Sequence, residues 1–243
     1  MKKSIAFFLS LLPAILLSAQ DIDPASYRTD YKIHIRRTSA PVKIDGLLDD
    51  AGWQQADTAS SFWLKAPRDD ARARHQTIAR LMYDEHFLYV GFIASDSMPL
   101  IGQSLKRDSR IRDNDGVGIV LDPIGKKTNG FYFTVTAFNV QADDLVTVNP
   151  DNLNFSWDNK WYSAVKRFDN YYTVEIAIPF KTLRYNSTNT TWGVNFVRSD
   201  RKQNEIHTWT RIPVNFSTVD LGYTGGLYWD QPPPKPGNNI SLI

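Results

Sequence analysis

The residues best suited to recognition chemistry in this chain are large aromatic side chains that fall outside any strand pattern. Trp157 lies in the polar stretch 152–160, where strand alternation gives no reason for a tryptophan. Flat rings in loops are frequent recognition anchors, and they stack on the apolar faces of pyranose sugars. The alternative is an aromatic lid that packs on the end of the sheets. We predict a ligand site from five residues: Trp157, Trp209, Trp63, Arg112 and Asn139.

Clustered aspartates are the second feature that could do chemistry. Asp113, Asp115 and Asp122 bracket one predicted strand. Carboxylates on loops suit Ca²⁺, which takes about six to eight oxygen ligands. The competing interpretation is that these residues form turns and cap strands. We predict no required cofactor, and the three aspartates are the candidates for a structural Ca²⁺ site.

Catalytic patterns are missing from the sequence, so we predict no catalytic residues and no enzyme activity. The chain has no Cys, and its four His residues show no metal-ligand spacing. No phosphate-binding glycine loop or serine nucleophile elbow is present. A glycosidase needs two carboxylates about 5 to 9 Å apart. Glu175 is the only acid in a strongly apolar run, where we expect a buried ion pair with Arg198 or Arg201.

Strands must position these side chains, because period-2 alternation dominates the chain from 31 to 209. The alternating runs are rich in β-branched and aromatic residues and end at Asp, Asn, Gly or Pro. Tight turns at 83–87 and 168–171 predict hairpins. The pattern predicts an all-β fold, an antiparallel β-sandwich of the jelly-roll kind. The predicted strands are 31–36, 75–83, 87–94, 117–121, 130–138, 161–167, 171–178 and 192–198.

Helical periodicity is confined to two short segments, so we predict very little helix. Residues 49–55 have an acidic start that predicts a short helix, and residues 180–185 follow Pro179 and predict one further turn. Trp53 lies on one side of the first segment. Trp192 lies at a strand start. Both are therefore predicted to fill the core.

The first nineteen residues have the layout of a secretory signal peptide, with an uncleaved anchor as the alternative. Lys2 and Lys3 precede an apolar run from 5 to 17, which is short of the roughly 20 residues of a bilayer span. Without these two lysines the 28 basic residues become 26, equal to the 26 acidic residues. We predict an exported protein, and the family resemblance described below implies a place in the periplasm, in the outer membrane or at the cell surface. A neutral mature chain predicts no nucleic-acid partner, and we expect no transmembrane segment in it.

The C-terminal residues differ in composition from the sandwich. Residues 231–237 (QPPPKPG) are typical of a semi-rigid linker. Residues 239–243 alternate like a strand, and we expect them to be poorly packed because their partner strands would lie in a missing downstream domain. A frayed terminus is the alternative. The predicted organisation is a signal peptide at 1–19, a lead-in at 20–37, a sandwich at 38–230, and a linker with the start of a further domain at 231–243.

The order and spacing of five motifs resemble carbohydrate-binding module family 9 over about residues 38–230. The resemblance is closer to a subgroup in which this module precedes a large domain of unknown function in Gram-negative bacteria. That downstream domain looks like an outer-membrane barrel. Residues 196–205 and Trp209 carry the subgroup resemblance. The five family motifs are 41–53 (PVKIDGLLDDAGW), 80–90 (RLMYDEHFLYV), 113–122 (DNDGVGIVLD), 172–180 (YTVEIAIPF) and 192–196 (WGVNF).

The resemblance implies a non-catalytic carbohydrate-binding module of a larger cell-envelope protein involved in glycan binding or breakdown. Its expected partners are a glycan and a downstream barrel or envelope protein. The alternatives are a scaffold that packs on such a barrel and a domain of a glycoside hydrolase. Sugar-binding members of the family have a Trp, a Glu and an Arg at places that correspond here to Arg112, Gly118 and Thr134.

Overall fold

The computed structural model describes residues 26–96, 99–147 and 157–235. Within these ranges the chain forms thirteen strands and two short α-helices, so the predicted all-β fold is confirmed. The helices are α1 (Tyr27–Asp30) and α2 (Ala51–Gln55). Single 3-10 turns occur at Ile111–Asp113, Phe180–Thr182 and Leu221–Tyr223. The strands are β1 (Lys32–Arg37), β2 (Thr58–Ala59), β3 (Trp63–Ala66), β4 (Thr77–Tyr83), β5 (Phe87–Ser95), β6 (Gly116–Asp122), β7 (Asn129–Thr136), β8 (Gln141–Thr147), β9 (Tyr162–Arg167), β10 (Tyr171–Pro179), β11 (Thr191–Asp200), β12 (Glu205–Thr208) and β13 (Gly225–Trp229).

The strands form two layers that share β1. Along the hydrogen-bonded path the order is β8-β7-β6-β11-β13-β1-β4-β5-β10-β9, with β12 and β3 beside β11 and β2 beside β4. Pairing is antiparallel throughout the described strands except at β1, which runs parallel to both neighbours. Its first four residues pair with β13, and its last two pair with β4. The first layer therefore contains β3, β6–β8 and β11–β13, and the second contains β2, β4, β5, β9 and β10.

The core lies between the two layers and follows the alternation of the sequence. In β6, Val117 and Ile119 are fully buried, and in β10 Val174 and Ile176 are fully buried. Alternate residues of a strand point to opposite faces, so each of these strands supplies every second side chain to one core. Trp192 is also fully buried in this core, as predicted.

The segment before residue 38 is part of this sheet. It contributes α1 and β1, and the side chains of Ile33 and Ile35 are buried in the central core. The short helix predicted at 49–55 is found at Ala51–Gln55. Both hairpins predicted from turn residues are present, between β4 and β5 and between β9 and β10.

A separate apolar cluster covers the outer face of the second layer. Trp53 on α2 is fully buried there against Met82, Tyr89 and Ala177, which confirms its predicted core position. Its ring lies over Gly91 of β5, where an added Cβ would come within 3.1 Å of the ring. A glycine at this point lets the indole lie directly on the sheet.

Glu175 anchors the loop before α2 onto the same outer face. Its carboxylate accepts hydrogen bonds from the backbone N–H of Asp45 at 3.0 Å, from that of Gly46 at 2.8 Å and from Trp53 Nε1 at 3.0 Å. The predicted ion pair with Arg198 or Arg201 is wrong, because Glu175 points away from the central core. Arg198 lies in that core and pairs with Asp96 and Asp200 instead. A buried carboxylate is held here by three N–H donors rather than by a cation.

The described part of the Pro-rich segment lies against the sandwich. Pro233 is buried, and the hydroxyl of Tyr185 donates to the backbone carbonyl of Pro234. The predicted signal peptide (1–19) and the predicted strand at 239–243 lie outside the described residues. No helix in the described ranges is long and apolar enough to cross a membrane.

Candidate functional site

The five predicted ligand residues do not meet at one site. Trp157 and Arg112 line two different clefts. Trp209 is only 6% exposed and packs in the core, with its ring centre 5.6 Å from those of Tyr31 and Phe196. A ring in that position has no free face for a ligand, so Trp209 is corrected to a structural residue. The sequence could have indicated the buried position of Trp209, because this residue follows an alternating run that is typical of a strand.

Trp63 is held between cations. The guanidinium of Arg72 lies 3.6 Å from its ring centre, and that of Arg211 lies 5.2 Å away. Its Nε1 donates to the hydroxyl of Tyr31 at 2.8 Å. Cation–π contacts of this kind stabilise the ring and cover its faces. We therefore leave Trp63 out of the candidate site.

Asn139 is a turn residue. It is exposed between β7 and β8 with a positive φ of 60°, a conformation that Asn tolerates better than most residues. Its Oδ1 accepts a hydrogen bond of 2.7 Å from the hydroxyl of Ser163. That contact ties the β7–β8 hairpin to β9, which explains an Asn at this point without a ligand.

The three candidate Ca²⁺ ligands do not form a metal site. Asp113 is exposed, whereas Asp115 and Asp122 are buried. Asp115 accepts hydrogen bonds at 2.6 and 2.7 Å from two backbone N–H groups. Asp122 accepts from Arg28 at 2.7 Å and from two backbone N–H groups. These oxygens face donors and a cation, so they do not fit Ca²⁺, and the described residues contain no group of three acidic or His side chains that could hold a metal ion.

A cleft of about 330 Å³ lies on the outer face of the first layer. We call it the Asp144 cleft. Its floor is formed by Tyr132 and Thr134 of β7 and by Asp144 of β8. Its walls come from the loops 108–112 and 217–219. Alternation explains the floor, because Phe131 and Phe133 point into the core and their neighbours must point outward.

Pairing registers bring the floor residues together. Tyr132 lies directly opposite Asp144 across the antiparallel β7–β8 pair, and Gly118 of β6 lies opposite Thr134. An added Cβ on Gly118 would lie 2.8 Å from the Thr134 methyl and 3.0 Å from the Tyr132 ring. Gly118 therefore lets the tyrosine ring lie close to the sheet. Arg112, one of the predicted residues, is exposed at the wall of this cleft.

Asp144 is electrostatically unusual. Its side chain is buried, and its Oδ1 has no hydrogen-bond partner among the residues that the structure describes. Burial, together with the smaller effect of the nearby charges of Asp143 and Asp108, raises the pKa of Asp144 to about 6. Buried polar atoms normally have partners. Because Asp144 also lines an open cleft, its carboxylate is a candidate acceptor for a donor from a ligand.

An exposed aromatic residue immediately precedes a wall residue of the same cleft in the sequence. Phe216 is 46% exposed and immediately precedes Ser217, which lines the wall. Its ring packs 4.8 Å from Tyr223, which holds it in place. We did not predict Phe216 or Asp144. Phe216 is, like Trp157, an aromatic side chain in a loop, so its type and position were visible in the sequence.

A second cleft, of about 810 Å³, surrounds Trp157 and is called the Trp157 cleft. Trp157 is half-buried, with its ring centre 5.3 Å from Phe131 and 5.9 Å from Phe133. It lies where β7 begins and β8 ends, away from the floor of the Asp144 cleft. Trp157 therefore borders a concave surface, and its role as a ligand residue stays a prediction.

Comparison with known proteins identifies one family and several solved structures that share the fold. The model of the carbohydrate family 9 binding domain-like family matches residues 44–218. A search of curated proteins finds no match. A family 9 carbohydrate binding module from Caldicellulosiruptor kristjanssonii, solved with cellotriose, is 17% identical, with a TM-score of 0.61 over 88% of this chain and 98% of that one.

Two further solved structures share the fold. A putative carbohydrate-binding protein from Bacteroides uniformis is 12% identical, with a TM-score of 0.64 over 82% of this chain and 99% of that one. A family 9 module from Caldicellulosiruptor kristjanssonii, solved with glucose, is 20% identical, with a TM-score of 0.53 over 83% and 96%. At these identities the likeness concerns the arrangement of strands.

Proposed function

The chain belongs to the carbohydrate family 9 binding domain-like family, and we propose that it binds a neutral carbohydrate in the Asp144 cleft. The observation that carries this proposal is the carboxylate of Asp144, which lines an open cleft and whose Oδ1 has no partner among the described residues. A sugar hydroxyl is a suitable donor for that carboxylate. The solved family 9 modules with cellotriose and glucose support the choice of a neutral sugar.

The cleft provides the two kinds of contact that a sugar needs. Tyr132 on the floor supplies aromatic surface for the apolar face of a pyranose ring, and the exposed Phe216, next in the chain to the wall residue Ser217, is proposed to add to it. Asp144 accepts from hydroxyls, and the guanidinium of Arg112 donates to them. A few convergent polar groups in a largely apolar concave surface are typical of small-ligand sites.

The test is calorimetric titration with cellotriose. We expect Asp144→Ala to weaken binding by at least about ten-fold, which corresponds to about 1.4 kcal/mol for a lost hydrogen bond to an ionised group. Phe216→Ala should weaken it by a similar factor. Phe168→Ala is the matched control, since Phe168 is also exposed but stacks on Tyr171 elsewhere on the surface. Unchanged affinity in both cleft variants would place any sugar site elsewhere.

A glycan array on residues 20–243 covers sugars other than cellotriose. Binding to no neutral glycan on the array would overturn the proposed ligand class. We further propose that the chain binds glycans without cleaving them. Prolonged incubation with each bound oligosaccharide, followed by chromatography, should show no shorter products, whereas any enzyme-dependent product would refute this point.

The cellular setting is also a proposal. The Lys2–Lys3 start and apolar run support export, and the Pro-rich residues after 230 support a link to a downstream envelope or barrel domain. Fractionation of a Gram-negative host should place the protein outside the cytoplasm. Full-length, uncleaved protein in the cytoplasm would contradict the export proposal.

A further inference from the structure

Asp144 differs from the other buried acids because its carboxylate has no partner. The residue is only 4% exposed, yet it forms no side-chain hydrogen bond or ion pair with the described residues. A buried charge without a partner costs free energy, and a cation can offset that cost. Asp144 therefore favours a ligand that brings a positive charge. The other buried acids of the described ranges each face a cation or backbone N–H donors, and they are Asp96, Asp115, Asp122, Asp143, Glu175 and Asp200.

The charges around Asp144 also favour a cation. Among the described residues, the charges that act on it are those of Asp143 and Asp108, and both are negative. Asp143 is paired with Arg107 at 2.8 Å, which offsets its charge. Asp108 is exposed and belongs to the wall of the cleft. A positive group beside Asp144 is therefore attracted by that residue and by Asp108.

The two arginines of the cleft, Arg110 and Arg112, do not neutralise Asp144. Both are exposed on the wall, where solvent and salt screen their charge. The charge of Arg112 acts on Tyr132 and Lys65. Neither arginine is among the charges that act on Asp144. The acid on the floor and the arginines on the wall are therefore available to different groups of one ligand.

We propose that the Asp144 cleft, as the proposed sugar site on which this inference rests, prefers a sugar with a free amine, such as glucosamine, to a neutral sugar. The ammonium group pairs with the carboxylate of Asp144, and the pyranose ring lies on Tyr132. Hydroxyl groups of the sugar accept hydrogen bonds from Arg112. An ammonium group adds the attraction of opposite charges to the hydrogen bond that a hydroxyl also makes. The amine therefore gains more from Asp144 than a hydroxyl does.

The experiment is calorimetric titration with three trisaccharides that share one β-1,4-linked backbone. They are the trimers of glucosamine, of glucose (cellotriose) and of N-acetylglucosamine, which carry an ammonium, a hydroxyl and a neutral amide at C2. At about pH 7 an amine is still mostly protonated, and Asp144 is ionised because its pKa is about 6. We expect the glucosamine trimer to bind at least about ten-fold more tightly than the other two at low salt. The difference should shrink as salt is raised.

Asp144→Asn keeps the shape of the side chain and removes its charge. In this variant the glucosamine trimer and cellotriose should bind within about two-fold of each other. Asp169→Asn is the matched control, because Asp169 is an exposed acid in the hairpin between β9 and β10, and it should keep the preference of the wild type. Lowering the pH to about 4 protonates Asp144 and should remove most of that preference. Urea unfolding of each variant checks the fold.

Three results would overturn the proposal and leave neutral-sugar binding intact. They are equal affinity of the wild type for the glucosamine trimer and cellotriose, an unchanged preference in Asp144→Asn, and an equal gain for the N-acetylglucosamine trimer, which would show a preference for bulk and not for charge. Binding of the glucosamine trimer without binding of cellotriose would support the amine and contradict the neutral sugar. Absence of binding to all three would overturn this proposal, and the glycan array then decides the neutral sugar separately.

Discussion

Replacing Trp53 by alanine should remove a large share of the stability of the sandwich. The side chain is fully buried under the loop 42–56 and on top of Gly91. Truncation of a buried Trp to Ala costs about 3 to 5 kcal/mol through lost burial and a residual cavity. Domains of this kind are stable by only about 5 to 15 kcal/mol. Urea unfolding followed by circular dichroism should therefore show a clearly lower midpoint.

The hydrogen bond from Trp53 to Glu175 makes a second contribution to the free energy of unfolding. A milder substitution measures this contribution separately. Trp53→Phe keeps most of the ring but leaves the buried Oε1 of Glu175 without the donor now at 3.0 Å. Losing a hydrogen bond to a charged group costs about 1.5 to 3 kcal/mol. We expect the order of stability to be wild type, then Trp53→Phe, then Trp53→Ala. Phe168→Ala, at an exposed stacked position, is the control and should change stability by less than about 1 kcal/mol. An unchanged unfolding midpoint for Trp53→Ala would refute the packing argument.

Two further changes test the electrostatics and the backbone. The pKa of Asp144 is raised by burial to about 6 in the folded state, so the unfolded chain loses its proton first and the wild type should lose stability as pH rises from about 4 to 6. Asp144→Asn should abolish that loss and gain about 1 to 3 kcal/mol at neutral pH, whereas an identical pH profile in urea unfolding would contradict the assignment. Gly46 has a φ of +88°, and an added Cβ would lie 2.7 Å from the backbone of Val165, so Gly46→Ala should destabilise the fold by more than about 1 kcal/mol. A melting temperature equal to that of the wild type would show that the loop relaxes without cost.

The strands of the core were predictable because their chemistry is local. Alternation over 117–121 and 171–178 reports directly which face is buried. The parallel position of β1 was not predictable, since its partner β13 is supplied by the far end of the chain. The partners of Glu175 were missed for the same reason. A buried acid in an apolar run predicts that a partner exists, but the three N–H donors come from a loop about 130 residues away.

The candidate site was harder to predict from the sequence than the fold, because its key residue, Asp144, lies in a strand whose sequence is not typical of a strand. β8 reads QADDLVT, which has two adjacent acids and little apolar content. In the structure the side chains of Asp143 and Asp144 lie on opposite faces of the sheet. Asp143 is held by Trp161 Nε1 at 3.0 Å and by Arg107 at 2.8 Å, while Asp144 faces the cleft without a partner on Oδ1. Only the pairing with β7 determines which acid is satisfied.

The position of β1 also sets an order for the folding reaction. Arg28 and Tyr228 are 200 residues apart in the sequence, yet the carbonyl of Arg28 accepts a hydrogen bond of 2.8 Å from the hydroxyl of Tyr228. During synthesis from the N-terminus, β1 emerges first and β13 emerges last among the described strands. The two layers cannot be joined through β1 until both are present, and contacts of such long sequence separation form slowly. The nascent chain therefore leaves the β13 side of β1 unpaired, with Ile33 and Ile35 not yet covered, for most of its emergence, which is a state that chaperones recognise.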